Sequence, residues 1–193
     1  MRTLSFRPSL TLRGRKFKGL RGWAGKPLHP PLTDVPVGAY VLVAAFDVLS
    51  FAFKHEPWAR ELYRAGTFTL VGGAVVSVFA ALTGFWDWLK STKKGTQARR
   101  TANAHAWTML TVTTLVLIDI VMRWFLYESV PYTPPRVLVV TLAAAGLTFI
   151  GGTIGGSLAY DYGFNVETSG DHPVWHESEV DVLPGDKAPP AKS

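Results

Sequence analysis

The sequence predicts an all-α membrane protein: a bundle of four transmembrane helices, both termini cytoplasmic, with disordered tails. Three observations predict it. Charged residues make up 18% of the chain and hydrophobic ones 48%, whereas about a quarter of a soluble domain is charged. The apolar residues are gathered into runs, and residues 65–86 and 137–160 carry no charged side chain at all. Lysine and arginine fall mainly in alternate connecting segments, the distribution that orients membrane helices.

Residues 1–33 form a basic arm with Arg2, Arg7, Arg13, Arg15, Lys16, Lys18, Arg21 and Lys26 and no acid. It is rich in proline and glycine and has no apolar stretch of the signal-peptide kind, so the first span is expected to drive insertion. Anionic lipid headgroups are its expected partner, at ~1 kcal/mol per cation near the surface. No interleaving of aromatic and basic residues points to nucleic acid, which is not expected as a partner.

The transmembrane domain is expected over residues 34–162, with spans at about 35–53, 65–86, 105–126 and 137–160. A helix rises ~1.5 Å per residue and the hydrocarbon core is ~30 Å thick, so runs of this length cross the bilayer. Residues 35–53 are apolar except for Asp47, and 106–122 except for Asp119. Residues 163–193 form an acidic tail, where Glu167, Asp171, Glu177, Glu179, Asp181 and Asp186 face only Lys187 and Lys192. That composition predicts disorder.

Lys90, Lys93, Lys94, Arg99 and Arg100 lie between the second and third spans, on the same side as the arm and tail. The other two loops and their flanks hold Lys54, Arg60, Arg64, Arg123 and Arg136. The richer side is expected to be cytoplasmic, in a bacterial cytoplasmic (inner) membrane. Trp23, Trp58, Trp86, Trp88, Trp107 and Trp124 stand at or just beyond span ends, the depth that amphipathic rings prefer. The chain has no cysteine, which excludes disulfides, thiolate metal sites and cysteine-held iron–sulfur clusters.

Helices in lipid associate through small residues. The second span places them at every fourth position: Ala65, Thr69, Gly73, Ser77 and Ala81. The fourth does so with Ala144, Thr148, Gly152 and Gly156, and Gly151 and Gly155 form a second pair. These glycines are expected at helix contacts.

Two polar groups need a reason to lie in the bilayer, where a carboxylate costs ~2.5–3.5 kcal/mol. Towards the outer end stand Asp47, Asp119 and, one turn past Asp119, Arg123. They read as a structural ion pair shared across the bundle, or as a proton or cation site. Towards the inner end stand His29, Asp87 and His105. Two histidines and a carboxylate suit a divalent transition metal. Two histidines alone suit a b-type haem, provided the rings lie within ~12 Å. A hydrogen-bonded polar plug is the third reading. His172 and His176 have i, i+4 spacing, but Pro173 between them opposes a helix.

The order of these motifs resembles the bacterial membrane family catalogued as domain of unknown function 2231, whose members open with Gly-His-Pro-x-His-Pro before the first span. The matching residues are Gly25-Lys26-Pro27-Leu28-His29-Pro30, Pro36-Val37-Gly38, Gly84-Phe85-Trp86-Asp87, Arg100 with Asn103-Ala104-His105-Ala106, Gly151-Gly152 to Gly156, Tyr160, and Gly163-Phe164-Asn165-Val166. Lys26 stands where the family pattern has its first histidine. The resemblance covers roughly residues 25–167 and implies four spans. Some relatives also carry a Rieske iron–sulfur domain, which implies redox chemistry beside a quinone pool or haem.

No nucleophile–base order, phosphate loop or catalytic carboxylate pair is present in a suitable context. The first expectation is therefore a non-catalytic helper or partner subunit, bound to another membrane protein or to further copies of itself. The alternatives are a haem- or quinone-linked electron-transfer subunit using His29 and His105, and a small ion or proton transporter using Asp47 and Asp119.

Overall fold

The computed structural model describes residues 27–164. The arm up to residue 26, the tail from residue 165, and with it His172 and His176, lie outside the described residues. Four long helices follow one another: α1 (His29–Ala52), α2 (Ala59–Ser91), α3 (Gln97–Val121) and α4 (Pro135–Tyr160). All four are long and apolar enough to cross a membrane.

Local chemistry sets the helix ends. Pro30 and Pro31 open α1 and Pro135 opens α4, positions where a fixed φ and a missing N–H cost nothing. The α1 helix thus begins at His29, inside the stretch expected to belong to the arm. Thr96 caps α3 by accepting a 3.2 Å hydrogen bond from the Arg99 amide, and Gly95 takes the left-handed conformation, φ +82°, that the turn before it requires. Arg99 stacks 3.4 Å above the Trp88 ring and donates to the Trp88 carbonyl at 2.7 Å. Trp88 in turn donates to Asn103 Oδ1 at 2.7 Å. These contacts join α2 and α3 through a turn much shorter than the Asp87–Ala104 connector the sequence indicates. At its far end α3 passes into a π-helical segment, Met122–Leu126, that carries Arg123.

The helices pair as two hairpins, α1 with α2 and α3 with α4, and α2 touches α3 less than α1 touches α4. Tyr40, Val43, Leu70, Val112, Val116 and Ala144, drawn from all four helices, form the central core. Large apolar side chains such as Phe68, Phe79, Phe85, Trp107, Phe125 and Phe149 point outward, while Asp47, Asp119 and Arg123 are fully buried. In water such a surface would aggregate; in hydrocarbon it is at home, and polar groups turn inward to satisfy one another.

The every-fourth-residue stripes hold only in part. A step of four residues turns a helix by about 40° more than a full circle, so such a stripe winds off any one face. On α2, Ala65 and Ala81 are exposed, and the buried face runs through Tyr63, Gly66, Leu70, Gly73, Ala80, Thr83 and Asp87. On α4 it runs through Ala144, Thr148, Gly151 and Leu158, leaving Gly152 exposed. A Cβ on Gly73 would lie 2.8 Å from the Ala39 Cβ, so α1 and α2 touch there, whereas a Cβ on Gly152 would meet nothing. Gly156 approaches only Tyr160 of its own helix. Among the described residues, Gly152 and Gly156 therefore make no contact with another helix.

Candidate functional site

Two polar sites lie at opposite ends of the bundle. The one expected to be outer centres on Arg123, which the π-helical segment turns into the core. Its Nε donates to Asp119 Oδ1 at 2.8 Å, and its Nη2 makes a short ion-paired contact to Asp47 Oδ2. Nη1 donates to Thr67 Oγ1 at 3.3 Å, and the guanidinium lies 5.0 Å from the Tyr63 ring centre, within cation–π range. The Thr141 hydroxyl stands 2.7 Å from a carboxylate oxygen of each aspartate and accepts from Arg123 Nη2 at 3.1 Å. Thr133 donates its hydroxyl to Asp47 Oδ1 at 3.0 Å, and its amide donates to Ser50 Oγ at 3.0 Å. All four helices and the α3–α4 loop meet here. Charges this deeply buried are tolerated when hydrogen bonds complete their pairing, and the site is built that way.

The inner site is smaller. His29 and His105 lie side by side in the bundle, with ring centres 6.3 Å apart and planes crossed at 83°. His29 Nδ1 bonds to the Ala80 carbonyl at 2.9 Å, and His105 Nδ1 bonds to the Gly151 carbonyl at 2.8 Å. A carbonyl only accepts, so each Nδ1 carries a proton, and in the neutral ring Nε2 keeps its lone pair. Among the described residues neither Nε2 makes a hydrogen bond. The second nitrogen of a metal-bound histidine is commonly tied to a carbonyl in this way. Each ring also rests on a glycine one turn beyond its carbonyl. A Cβ on Gly84 would come within 2.6 Å of His29 Cε1, and one on Gly155 within 3.0 Å of His105 Cε1.

Asp87 does not join the two rings as a third ligand. It lies one turn beyond Gly84 on α2, where it is buried and engaged in interactions of its own. Among the described residues no group of three His, Cys, Asp or Glu side chains gathers around one metal position. The inner triad expected from sequence thus becomes a histidine pair.

The structure brings together Asp47, Asp119 and Arg123, and His29 with His105. Sequence reasoning missed Thr67, Thr141 and Ser50, because a threonine or serine in an apolar helix ordinarily bonds back to its own backbone, and Thr133, because it lies in the α3–α4 loop. It also missed Gly84, whose signal was its place four residues after Ala80; the same spacing separates Gly151 and Gly155.

The family model described as "Predicted membrane protein (DUF2231)" matches residues 25–168, a stretch that contains both polar sites. No curated protein and no solved structure matches the chain.

Proposed function

The chain belongs to this membrane family, and within it we propose an electron-transfer role: a subunit that holds one b-type haem between His29 and His105. One observation carries the reading, the crossed imidazole pair with both Nδ1 atoms pinned to carbonyls and ring centres 6.3 Å apart. An imidazole nitrogen ~2 Å from a metal puts its ring centre ~3 Å away, so two rings on opposite sides of one ion stand ~6 Å apart. The rings come from different hairpins and meet across the bundle. When bound, such a haem supplies one-electron transfer. The residues' part is to hold two neutral ligands at fixed spacing in an apolar surround that favours the less charged state.

A one-electron carrier confined to the membrane needs a partner, so the subunit would exchange electrons with another membrane protein, a further copy or a quinone. The Lys and Arg distribution supports placing the histidine end at the cytoplasmic face of an inner membrane. Alkaline phosphatase fused after Ser193 should then be inactive, and activity there would reverse the orientation. The haem itself is tested by absorption spectra of detergent-purified protein, oxidised and dithionite-reduced, from cells supplied with a haem precursor. The expected result is a Soret band and a reduced α-band, both lost in His29→Ala and in His105→Ala. Folded wild-type protein with neither band rejects the reading.

A further inference from the structure

The two hairpins repeat one local device. A histidine on the first helix bonds through Nδ1 to a carbonyl on the second, Ala80 for His29 and Gly151 for His105. One turn further along that second helix a glycine, Gly84 or Gly155, lies under the ring. The carbonyl fixes one edge of the imidazole and the glycine backbone limits its rotation about Cβ–Cγ. Two such cradles, carried on separate hairpins, hold the rings crossed at 83°.

We propose that Gly84 and Gly155 are matched positioning residues that keep the two imidazoles perpendicular as axial ligands and so set the electronic character of the metal they share. The inference rests on the haem reading and deepens it. Each axial imidazole donates π density into the iron d orbital perpendicular to its ring. Parallel rings raise one of the two available orbitals and split the pair. Crossed rings raise both alike, which leaves the unpaired electron of ferric iron in a nearly degenerate pair with a large orbital moment. The EPR signatures differ: a broad, strongly anisotropic low-spin signal dominated by one large g-value for crossed rings, and a three-line rhombic signal for parallel ones.

The glycines provide graded variants. A methyl on Gly84 would lie 2.6 Å from His29 Cε1 and 2.8 Å from its Nδ1, so the ring must move. At Gly155 the corresponding distances from His105 are 3.0 and 3.2 Å, which a shift of a few tenths of an ångström relieves. At Gly152, also on α4, a methyl would meet nothing within 4 Å.

The experiment is low-temperature EPR of the oxidised, detergent-purified full chain, with the Soret band recorded on the same samples. Wild type should give the large-g signal. Gly84→Ala should move it furthest towards the rhombic form, Gly155→Ala less, and Gly152→Ala not at all, each retaining haem. A rhombic wild-type signal overturns the proposal while leaving the haem assignment standing. So does a Gly84→Ala or Gly155→Ala protein that keeps its haem and an unshifted signal. If Gly84→Ala fails to fold, the wild-type spectrum and Gly155→Ala still decide. A wild type without a Soret band overturns both readings.

Discussion

The outer and inner polar sites occupy the same four helices but answer opposite questions. In the outer site, charged Arg123, Asp47 and Asp119 are completed by Thr67, Thr133 and Thr141, so the residues explain one another. In the inner site two neutral rings each spend one nitrogen on a backbone carbonyl and keep the other. The first arrangement costs charge burial and recovers it by internal pairing, which fits a clamp. The second costs little to bury and leaves each ring one nitrogen with no hydrogen bond among the described residues, which fits a ligand. Polarity inside a membrane is therefore not a functional signal by itself. What distinguishes the sites is whether their hydrogen-bonding capacity is already used.

The largest expected effect tests the clamp. Arg123→Ala would leave two carboxyl groups buried without their cation, and breaking a buried pair costs ~3–5 kcal/mol. Thermal unfolding in detergent should show a much lower transition temperature or a collapse in yield. Replacing Asp47, Asp119 and Arg123 together by apolar residues of similar volume should recover most of that loss, because hydrophobic packing often matches a buried ion pair. An Arg123→Ala protein as stable as wild type would break the contrast, since the outer site would then not be holding the helices together. A stable triple variant that abolishes an ion- or pH-dependent growth phenotype would move the outer site to the functional side.

The sequence made one half of this contrast more legible than the other. Long, nearly uncharged runs predicted four spanning helices, and four are present among the described residues, because in lipid every backbone group must be satisfied within its own segment. Asp47, Asp119 and Arg123 stood out as charges with no other reason to lie there. Their threonine partners did not. Thr141 in Val-Val-Thr-Leu looks like any helix threonine, and only the close approach of α1, α3 and α4 gives its hydroxyl two carboxylates to meet. The small-residue stripes misled in part because spacing by four and helical period diverge within a few turns. At the inner end, shared depth implied a triad of His29, Asp87 and His105. Asp87 sits one turn past Gly84, on the part of α2 that runs on to Ser91, buried and engaged in interactions of its own, and among the described residues no group of three metal-binding side chains forms.

A smaller effect sharpens the comparison by asking whether the outer site acts as a network or as a simple pair. Thr141→Val keeps the shape of the side chain and removes the hydroxyl that lies 2.7 Å from both aspartates and accepts from Arg123. Leaving a buried charged group short of a partner costs ~1–3 kcal/mol, so a moderate fall in unfolding temperature is expected, well below that of Arg123→Ala. If the hydroxyl links the two carboxylates, its loss should couple to Asp119→Asn by ~0.5–3 kcal/mol in a double-mutant cycle. Additive effects would mean that Asp47 and Asp119 bind Arg123 independently. The inner site supplies the control. About 27 Å of α1 separates His29 from Asp47 at ~1.5 Å per residue, so Thr141→Val should leave the haem bands and the EPR signal as in wild type. Were those to shift, the two ends would be coupled through the bundle, and the outer cluster would be tuning the inner ligands as well as clamping the helices.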